Sequence, residues 1–346
     1  MKLLILGTGG MAAAHARAFG AMAGVKVVAA CDIDADRAAA FAKAHGIGKS
    51  FGSLDVALSA GGFDAVTNVT PDPIHHPTTM ACLAAGKHVL CEKPLAESHA
   101  LAREMTDAAT RAGLVNMVNL SYRNVAALQK ARELILDGHV GDIRHVEASY
   151  RQSWLVANNW GQWNTDPKWL WRLSSKHGSR GVLGDVGIHI LDFATFATDL
   201  TPVSLQARLK TFDKAPDGKV GDYVLDANDS AVMSVEFGNG ALGVIHTSRF
   251  MTGYANTLKL HVFGTKGGLE IDHNVGWTRL RLCAGEDVHN QAWTDIECPS
   301  VKNNFQKFAE AVGGGKNGEP DFAHATELQR ILDACFETGS STAAAL

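Results

Sequence analysis

The first stretch of the chain constrains its fold more than any other. Lys2-Leu3-Leu4-Ile5-Leu6 is a short apolar run, Gly7-Thr8-Gly9-Gly10-Met11-Ala12 follows it, and Ala13 to Met22 has helix-forming composition. Val25 to Ala30 is the next apolar run, and Asp32 stands at its end. A strand, a glycine turn, a helix, a second strand and an acid in that order leave few architectures open. Gly7 permits the tight turn, Gly9 lets the backbone approach an anion, and small Ala12 lets the helix pack on the strand. The helix N-terminus faces the same place with its positive end. The pattern is a dinucleotide fingerprint: Gly7, Thr8, Gly9, Gly10 and Met11 border the pyrophosphate, and Asp32 takes the adenosine ribose hydroxyls. A carboxylate there repels a 2′-phosphate, and no arginine immediately follows in Asp32-Ile33-Asp34. NAD is therefore expected as cofactor, with NADP as the alternative.

The alternation continues beyond Asp32. Ala35 to His45 reads as a helix, Asp64 to Thr70 as a strand ending at Pro71, Pro77 to Ala85 as a helix closed by Gly86, and His88 to Cys91 as a strand. This is the pattern of an α/β fold with a doubly wound parallel sheet. Ligands in such sheets sit outside the carboxyl ends of the strands. Gly7, Asp32, Thr70, Pro71 and Glu92-Lys93-Pro94 all fall there, so Lys93 is expected to point at the cofactor crevice.

After Gly141 the character changes. Ile143 to Tyr150, Val203 to Phe212, Ser230 to Phe237, Ala241 to Phe250, Thr257 to Gly264 and Gly268 to Asp272 are strand-like, many with period-two alternation. Gly238-Asn239-Gly240 is a hairpin signal. Strands without intervening helices predict an antiparallel sheet, and Asn303 to Val312 and Ala325 to Glu337 read as closing helices.

The chain has 346 residues, long enough for two domains, with 46% hydrophobic content. Its 32 basic and 36 acidic residues leave a net charge of -4 without a long run of either sign, which argues against nucleic acid or an anionic membrane as partner. No apolar stretch is long enough to span a bilayer, and Lys2 to Leu6 reads as a buried strand, which argues against a signal peptide. Six scattered cysteines show no pairing or metal-ligand spacing, so reduced thiols, a cytoplasmic location and no metal site are expected.

The chemistry is suggested by Gly184-Asp185-Val186-Gly187-Ile188-His189-Ile190-Leu191-Asp192 beside Glu92-Lys93-Pro94. On an α-helix Asp185 and His189 are four apart and share a face, so a base and the group that orients it can be neighbours. Lys93 adds an amine, and the set suits removal of a proton from a hydroxyl as hydride leaves its carbon. Five of the seven tryptophans, Trp154, Trp160, Trp163, Trp169 and Trp171, lie in one polar segment. They either stack on a sugar ring and exclude water or pack the domain or an interface.

Together these residues resemble the glucose-fructose oxidoreductase / inositol dehydrogenase / rhizopine-catabolism (Gfo/Idh/MocA) family. The resemblance rests on Gly7-Thr8-Gly9, on Thr70-Pro71 followed by His75, and on Gly86 through Pro94. Arg123 and Gly181 through Asp192 complete it. It implies an N-terminal Rossmann domain, here 1–122, and a C-terminal α/β domain, here 123–346, with a large open, mostly antiparallel sheet. It implies NAD(P)-dependent oxidation or reduction of a sugar or cyclitol hydroxyl, in a homodimer or homotetramer. By position Lys93, Asp185 and His189 are similar to the family's catalytic residues. Thr70, Pro71, His75, Glu92 and Lys93 join the expected cofactor contacts. Lys93, Arg123, Trp171, Arg172, Asp185 and His189 are the expected substrate contacts. The chain departs from its relatives at Gly178-Ser179-Arg180-Gly181, where Arg180 replaces a small residue. Two other classes use the same fold: a glycosidase acting by transient oxidation with bound NAD, and a sensor that binds the nucleotide without chemistry.

Overall fold

Short apolar runs separated by alanine-rich helices give the first part of the molecule a parallel sheet, and the computed structural model, which describes residues 1–158 and 160–339, shows its order. Strands β1 (Lys2–Leu6), β2 (Lys26–Cys31), β3 (Lys49–Phe51), β4 (Ala65–Asn68), β5 (His88–Cys91) and β6 (Asn116–Val118) pair as β3-β2-β1-β4-β5-β6, all parallel. The order reverses at β1/β4, the switch point where doubly wound folds hold their ligands. Helices α1 (Ala12–Gly20), α2 (Ala35–Ala44), α3 (Leu54–Ala60), α4 (Asp72–Ala84) and α5 (His99–Ala112) connect the strands. Local chemistry sets their ends. Asp34 caps α2 by accepting from the Arg37 N–H, Ser98 caps α5 by accepting from the Leu101 N–H, and Gly113 closes α5 in a left-handed conformation. Helix α4 begins at Asp72, not at Pro77 as its composition suggested. Pro77 lies inside it, and its missing N–H costs one helical bond without ending the helix.

The chain divides into two compact units, Met1–Ser121 with Lys302–Arg330 and Tyr122–Val301 with the residues from Ile331 onward. Thus Lys302–Arg330, which the sequence places in a second domain running 123–346, packs with the first unit. The reason is apolar: Phe308, on the helix Asn304–Gly314, is buried in one cluster with Leu3, Phe19, Leu90 and Met117. The helix itself starts with a capping box between Asn303 and Gln306.

In the second unit, α6 (Ala126–Leu136) precedes β7 (Ile143–Arg151), and α7 (Pro167–Leu170) and α8 (Ile188–Thr198) precede β8 (Pro202–Lys210). A small hairpin joins β9 (Lys219–Val220) to β10 (Tyr223–Val224). The remaining strands are β11 (Ser230–Phe237), β12 (Leu242–Ser248), β13 (Thr257–Gly264), β14 (Gly267–Asn274), β15 (Trp277–Ala284) and β16 (Thr294–Asp295). With β7 and β8 they form an eight-stranded sheet, β16-β15-β14-β13-β7-β12-β11-β8, antiparallel except for the β7/β12 pair. Strand β15, absent from the sequence reading, joins β14 through the tight turn Val275-Gly276, where Gly276 has φ +93°. Its arginines and exposed tryptophan hide the alternation of a half-buried strand.

Helix α8 packs against β7, β12, β13 and α6, and ten of its eleven residues are buried. A helix buried all round leaves its one acid, Asp192, no water. Arg123, 2% exposed, answers it with Nε at 2.9 and 3.0 Å and Nη2 at 2.7 Å, while its guanidinium stacks 3.7 Å from the Phe196 ring centre. Replacing Asp192 with Ala strands the buried guanidinium and is expected to cost about 3–5 kcal/mol in urea unfolding. An unchanged midpoint would show that the pair does not hold α8.

Candidate active site

In the first unit the glycine loop has the shape that its sequence requires. Gly7 has φ +86°, and a Cβ there would lie 2.7 Å from the Val69 carbonyl oxygen, so no other residue fits. At Gly9 and Gly10 a Cβ would meet nothing within 4 Å, so the outer side of the loop is open. Met11 at the start of α1 is exposed. The strand ends, the open loop and the helix N-terminus fit a dinucleotide pyrophosphate. Thr8 plays another part: its N–H and its hydroxyl both donate to Asp32 Oδ2 at 2.8 Å, tying the loop to the end of β2. Burial opposes the charge of Asp32, but hydrogen bonds from Arg37, Asp34 and Thr8 hold its carboxyl well below the usual carboxylate range.

Beyond β4, Asn68 Oδ1 accepts from the N–H and the hydroxyl of Thr70, which fixes the turn before Pro71. His75, 1% exposed, has Nδ1 2.7 Å from the Pro94 carbonyl and Nε2 2.8 Å from the Thr70 carbonyl. Carbonyl oxygens only accept, so both ring nitrogens carry protons and the imidazole is a cation. Burial works against that charge, but Cys91, Asp72 and the Pro94 carbonyl outweigh it and carry its pKa up to about 10. His75 thus clamps the Thr70-Pro71 turn to the Lys93-Pro94 turn.

Glu92 is the second clamp. Oε1 accepts from His15 Nε2 at 2.8 Å and from Asn119 Nδ2 at 2.7 Å, and Oε2 accepts the Lys93 N–H at 3.3 Å. Fully buried His15, on α1, reaches back to the Thr67 hydroxyl at 2.7 Å through Nδ1. Against the penalty of burial, His15, Asn119 and Lys93 hold the Glu92 pKa at about 2. Thr8, His75 and Glu92, grouped by sequence with the cofactor contacts, therefore spend these atoms on the protein, setting the loops that carry Gly9, Thr70 and Lys93.

In the second unit, Asp185 does not lie on a regular α-helix. Leu183–Gly187 is a π-helical turn that runs into α8, so the four-residue spacing of Asp185 and His189 loses the meaning that it has on an α-helix. Gly181, with φ +70°, lets the chain pass Asn228, which seats the turn: its side chain accepts from the Leu183 N–H and donates to the Arg180 carbonyl. Asp185 Oδ2 receives Nη2 of Arg249 at 3.2 Å and stands 3.7 Å from Nε of Arg172. Arg249 has no exposure at all, also donates to the Arg172 carbonyl, and lies over Trp154. Trp171 is 38% exposed with Arg172 over its ring. Trp171, Arg172 and Asp185 thus gather at one place. Trp154, Trp160, Trp163 and Trp169 instead pack with Leu155, Leu170, Leu173 and Leu225. Arg180 turns to Asp333 and the ring of Phe336.

His189, 7% exposed, packs edge-on against Tyr122 at 5.0 Å between ring centres, with Tyr150 at 6.4 Å. The two phenols and Asn256 form a closed ring of hydrogen bonds. Tyr150 donates to Asn256 Oδ1 at 2.5 Å, Asn256 Nδ2 donates to Tyr122 at 3.0 Å, and Tyr122 donates to Tyr150 at 2.6 Å. Burial raises both phenols, Tyr150 well above its ordinary 10, so both stay protonated. Tyr122, Tyr150, Asn256, Arg249 and Asn228 escaped the sequence reading. Only Tyr122, beside Arg123, carried a signal. Among the described residues no three His, Cys, Asp or Glu side chains gather to hold a metal ion, and no helix is long and apolar enough to cross a membrane.

Fold and loop together define a dinucleotide-binding protein of the doubly wound class. Residues 1–120 match the oxidoreductase family's NAD-binding Rossmann fold, and residues 128–270 match the GFO/IDH/MocA C-terminal domain. The 1,5-anhydro-D-fructose reductase of Ensifer adhaerens is 34% identical over 270 residues, which is 76% of this chain and 74% of the relative. The D-apiose dehydrogenase of Paraburkholderia graminis is 32% identical over 309 residues, 87% of this chain and 76% of the relative. An oxidoreductase domain protein from Kribbella flavida superposes with a TM-score of 0.85 at 30% identity, over 98% of this chain and 96% of that one. Levoglucosan dehydrogenase in complex with NADH and L-sorbose has the same fold, with a TM-score of 0.86 at 23% identity over 98% and 97% of the two chains. The chain belongs to the Gfo/Idh/MocA family and is an NAD-dependent oxidoreductase.

The His75 clamp has a pH signature. Because its folded pKa of about 10 exceeds its ordinary 6.5, the folded protein binds the extra proton between those values. Its stabilisation is whole below pH 6.5 and is lost as pH rises through about 10. Urea unfolding of wild type and His75→Gln from pH 6 upward is expected to show a stability gap that shrinks over this window. A gap constant with pH would contradict the cationic clamp.

Proposed function

We propose that the protein transfers hydride between NAD and a secondary hydroxyl or ketone of a sugar, sugar derivative or cyclitol. The observation that carries this reading is the buried imidazole of His189 beside a closed, protonated Tyr122-Tyr150-Asn256 ring, in the unit where Asp185 is held by two arginines. An imidazole can both accept and donate a proton, whereas these phenols stay protonated, so His189 takes the hydroxyl proton and returns it in reduction. Bound NAD supplies the acceptor for the hydride. Lys93 donates to the reacting oxygen and stabilises the negative charge that develops there. Asp185 orients the imidazole and stabilises its cation, while Arg172 and Arg249 hold the carboxylate in place. Exposed Trp171 and half-buried Arg172 line the substrate, and Arg123, committed to Asp192, supports α8. The names of the relatives, 1,5-anhydro-D-fructose reductase and D-apiose dehydrogenase, support a carbohydrate substrate.

We also infer work in the cytoplasm as a homodimer or homotetramer. All six cysteines are unbridged, and Val232 and Leu242 are exposed on the eight-stranded sheet. Light scattering in solution decides the assembly.

Incubating the protein with NAD and a panel of cyclitols, aldoses and glycosides, while following absorbance of the reduced cofactor, identifies the substrate. On it, His189→Ala is expected to lose about 10²–10⁴-fold in kcat and Lys93→Ala about 10²–10³-fold, both still binding NAD. Near-normal turnover of both variants would remove these roles. Release of an aglycone from aryl glycosides without accumulating NADH would favour cleavage by transient oxidation.

A further inference from the structure

The two phenols beside His189 have the chemistry of proton exchangers, yet neither has a proton to spare. Asn256 offers Oδ1 only as an acceptor and Nδ2 only as a donor, so Tyr150 donates to it at 2.5 Å and Tyr122 accepts from it at 3.0 Å. The Tyr122 proton is thereby sent to Tyr150, at 2.6 Å. Gln152, 5% exposed, stops the amide from turning over and reversing the ring, because its Nε2 donates to the same Oδ1 at 3.0 Å. Gln152 is fixed in turn: its Oε1 accepts at 3.2 Å from the indole N–H of Trp154, a group that only donates. The direction of the chain from Trp154 through Gln152 and Asn256 to Tyr122 is thus set at the tryptophan. Trp154 has a second contact, for its ring face carries the Arg249 guanidinium at 4.8 Å, and Arg249 donates Nη2 to Asp185 at 3.2 Å. Backbone bonds keep the two arms in step, from the Gln152 N–H to the Ser248 carbonyl and from the Leu155 N–H to the Arg249 carbonyl. Both arms end near one place: burial raises the two phenols most, and the Asp185 carboxylate adds to the rise in each.

We propose that Trp154 is a positioning residue for His189 that works through two arms: its N–H sets the chain that holds the Tyr122 ring against the imidazole, and its face seats Arg249, which holds Asp185. Tyr122 and Tyr150 are then a fixed wall, not an acid or a base of the reaction. The wall is tethered to the helix that it faces, since Arg123, next to Tyr122, holds Asp192 further along α8. An imidazole fixed only by its helix can still turn about its side-chain bonds, and a misplacement of about 1 Å can cost about 10²-fold in rate. The inference rests on the reading of His189 as the group that exchanges the proton. It adds the residue that keeps this group in place, a tryptophan that the sequence left between sugar stacking and packing.

Gln152→Leu cuts the N–H arm and leaves the tryptophan in its core, so it reads the claim even where a Trp154 variant fails to fold. Trp154→Phe cuts the same arm and keeps an aromatic face under Arg249. Nuclear magnetic resonance of protein with carbon-13 in its histidine rings needs no substrate, and the His189 signals are identified by their loss in His189→Gln. Both variants are expected to shift or broaden those signals, because the ring current of Tyr122 reaches them, and to leave the signals of His15 and His75 in the first unit unchanged. The double variant is expected to go no further than either single one, since both cut one chain. On the substrate found in the panel, each is expected to lose about tenfold or more in kcat, with KM and NAD affinity held. His189 signals in Gln152→Leu that match wild type would overturn the proposal, and so would kcat losses that add across the two variants. A rise in KM with kcat unchanged would assign Trp154 to substrate contact and overturn it too. Near-normal turnover of His189→Ala, with the signals moving as expected, would overturn the role of the imidazole, and this one with it.

Discussion

A carboxylate taken out of water must be met by donors, and Glu92 meets this demand by joining four pieces of the first unit. His15 comes from α1, the helix that the glycine loop opens, and itself holds Thr67 of β4. Asn119 comes from just beyond β6, and the Lys93 N–H from the turn after β5. Asn304 donates in turn to Asn119 and to the Leu120 carbonyl, so the helix at Asn304–Gly314 is drawn into the same network. The loop that accepts a pyrophosphate and the turn that presents Lys93 are therefore fixed by one ion. His75 does the same for Thr70 and Pro94 with the opposite charge. Breaking either network leaves a buried ion uncompensated, a cost that keeps the loops in one arrangement.

The second unit uses a related device. Asp185 sits on a π-helical turn seated by Asn228, and buried Arg249 and half-buried Arg172 hold its carboxylate. Such turns recur at functional sites because they re-aim side chains within a helix. The four packed tryptophans share a core with Leu225 and Phe250 from later in the chain, which leaves Trp171 as the exposed one of the five in the Arg151–Arg180 segment.

Much of this was legible in the sequence where period and glycine carry the signal. The alternation of strands and helices gave the parallel sheet, the φ demanded at Gly7 gave the loop, and period-two runs gave most of the second sheet. What was hidden is long-range or irregular. His15 and Asn119 look like ordinary helix and strand-end residues until the fold brings them to Glu92. Arg249 sits at the end of a strand whose alternation says nothing about its partner 64 residues earlier. The π turn leaves the apolar pattern of Gly181 to Asp192 unchanged, so an α-helix is the natural reading. Helix Asn304–Gly314 was visible as a helix, but only Phe308 in the core of the first unit shows where it belongs.

Hydride transfer from a carbinol carbon is the claim that everything else serves. A substrate found in the panel and carrying deuterium on the carbon to be oxidised tests it directly, with mass spectrometry of the reduced cofactor as the readout. The expected result is NADH that carries one deuterium. Reduced cofactor without the label, or conversion of the substrate with no reduced cofactor formed at any stage, would contradict it.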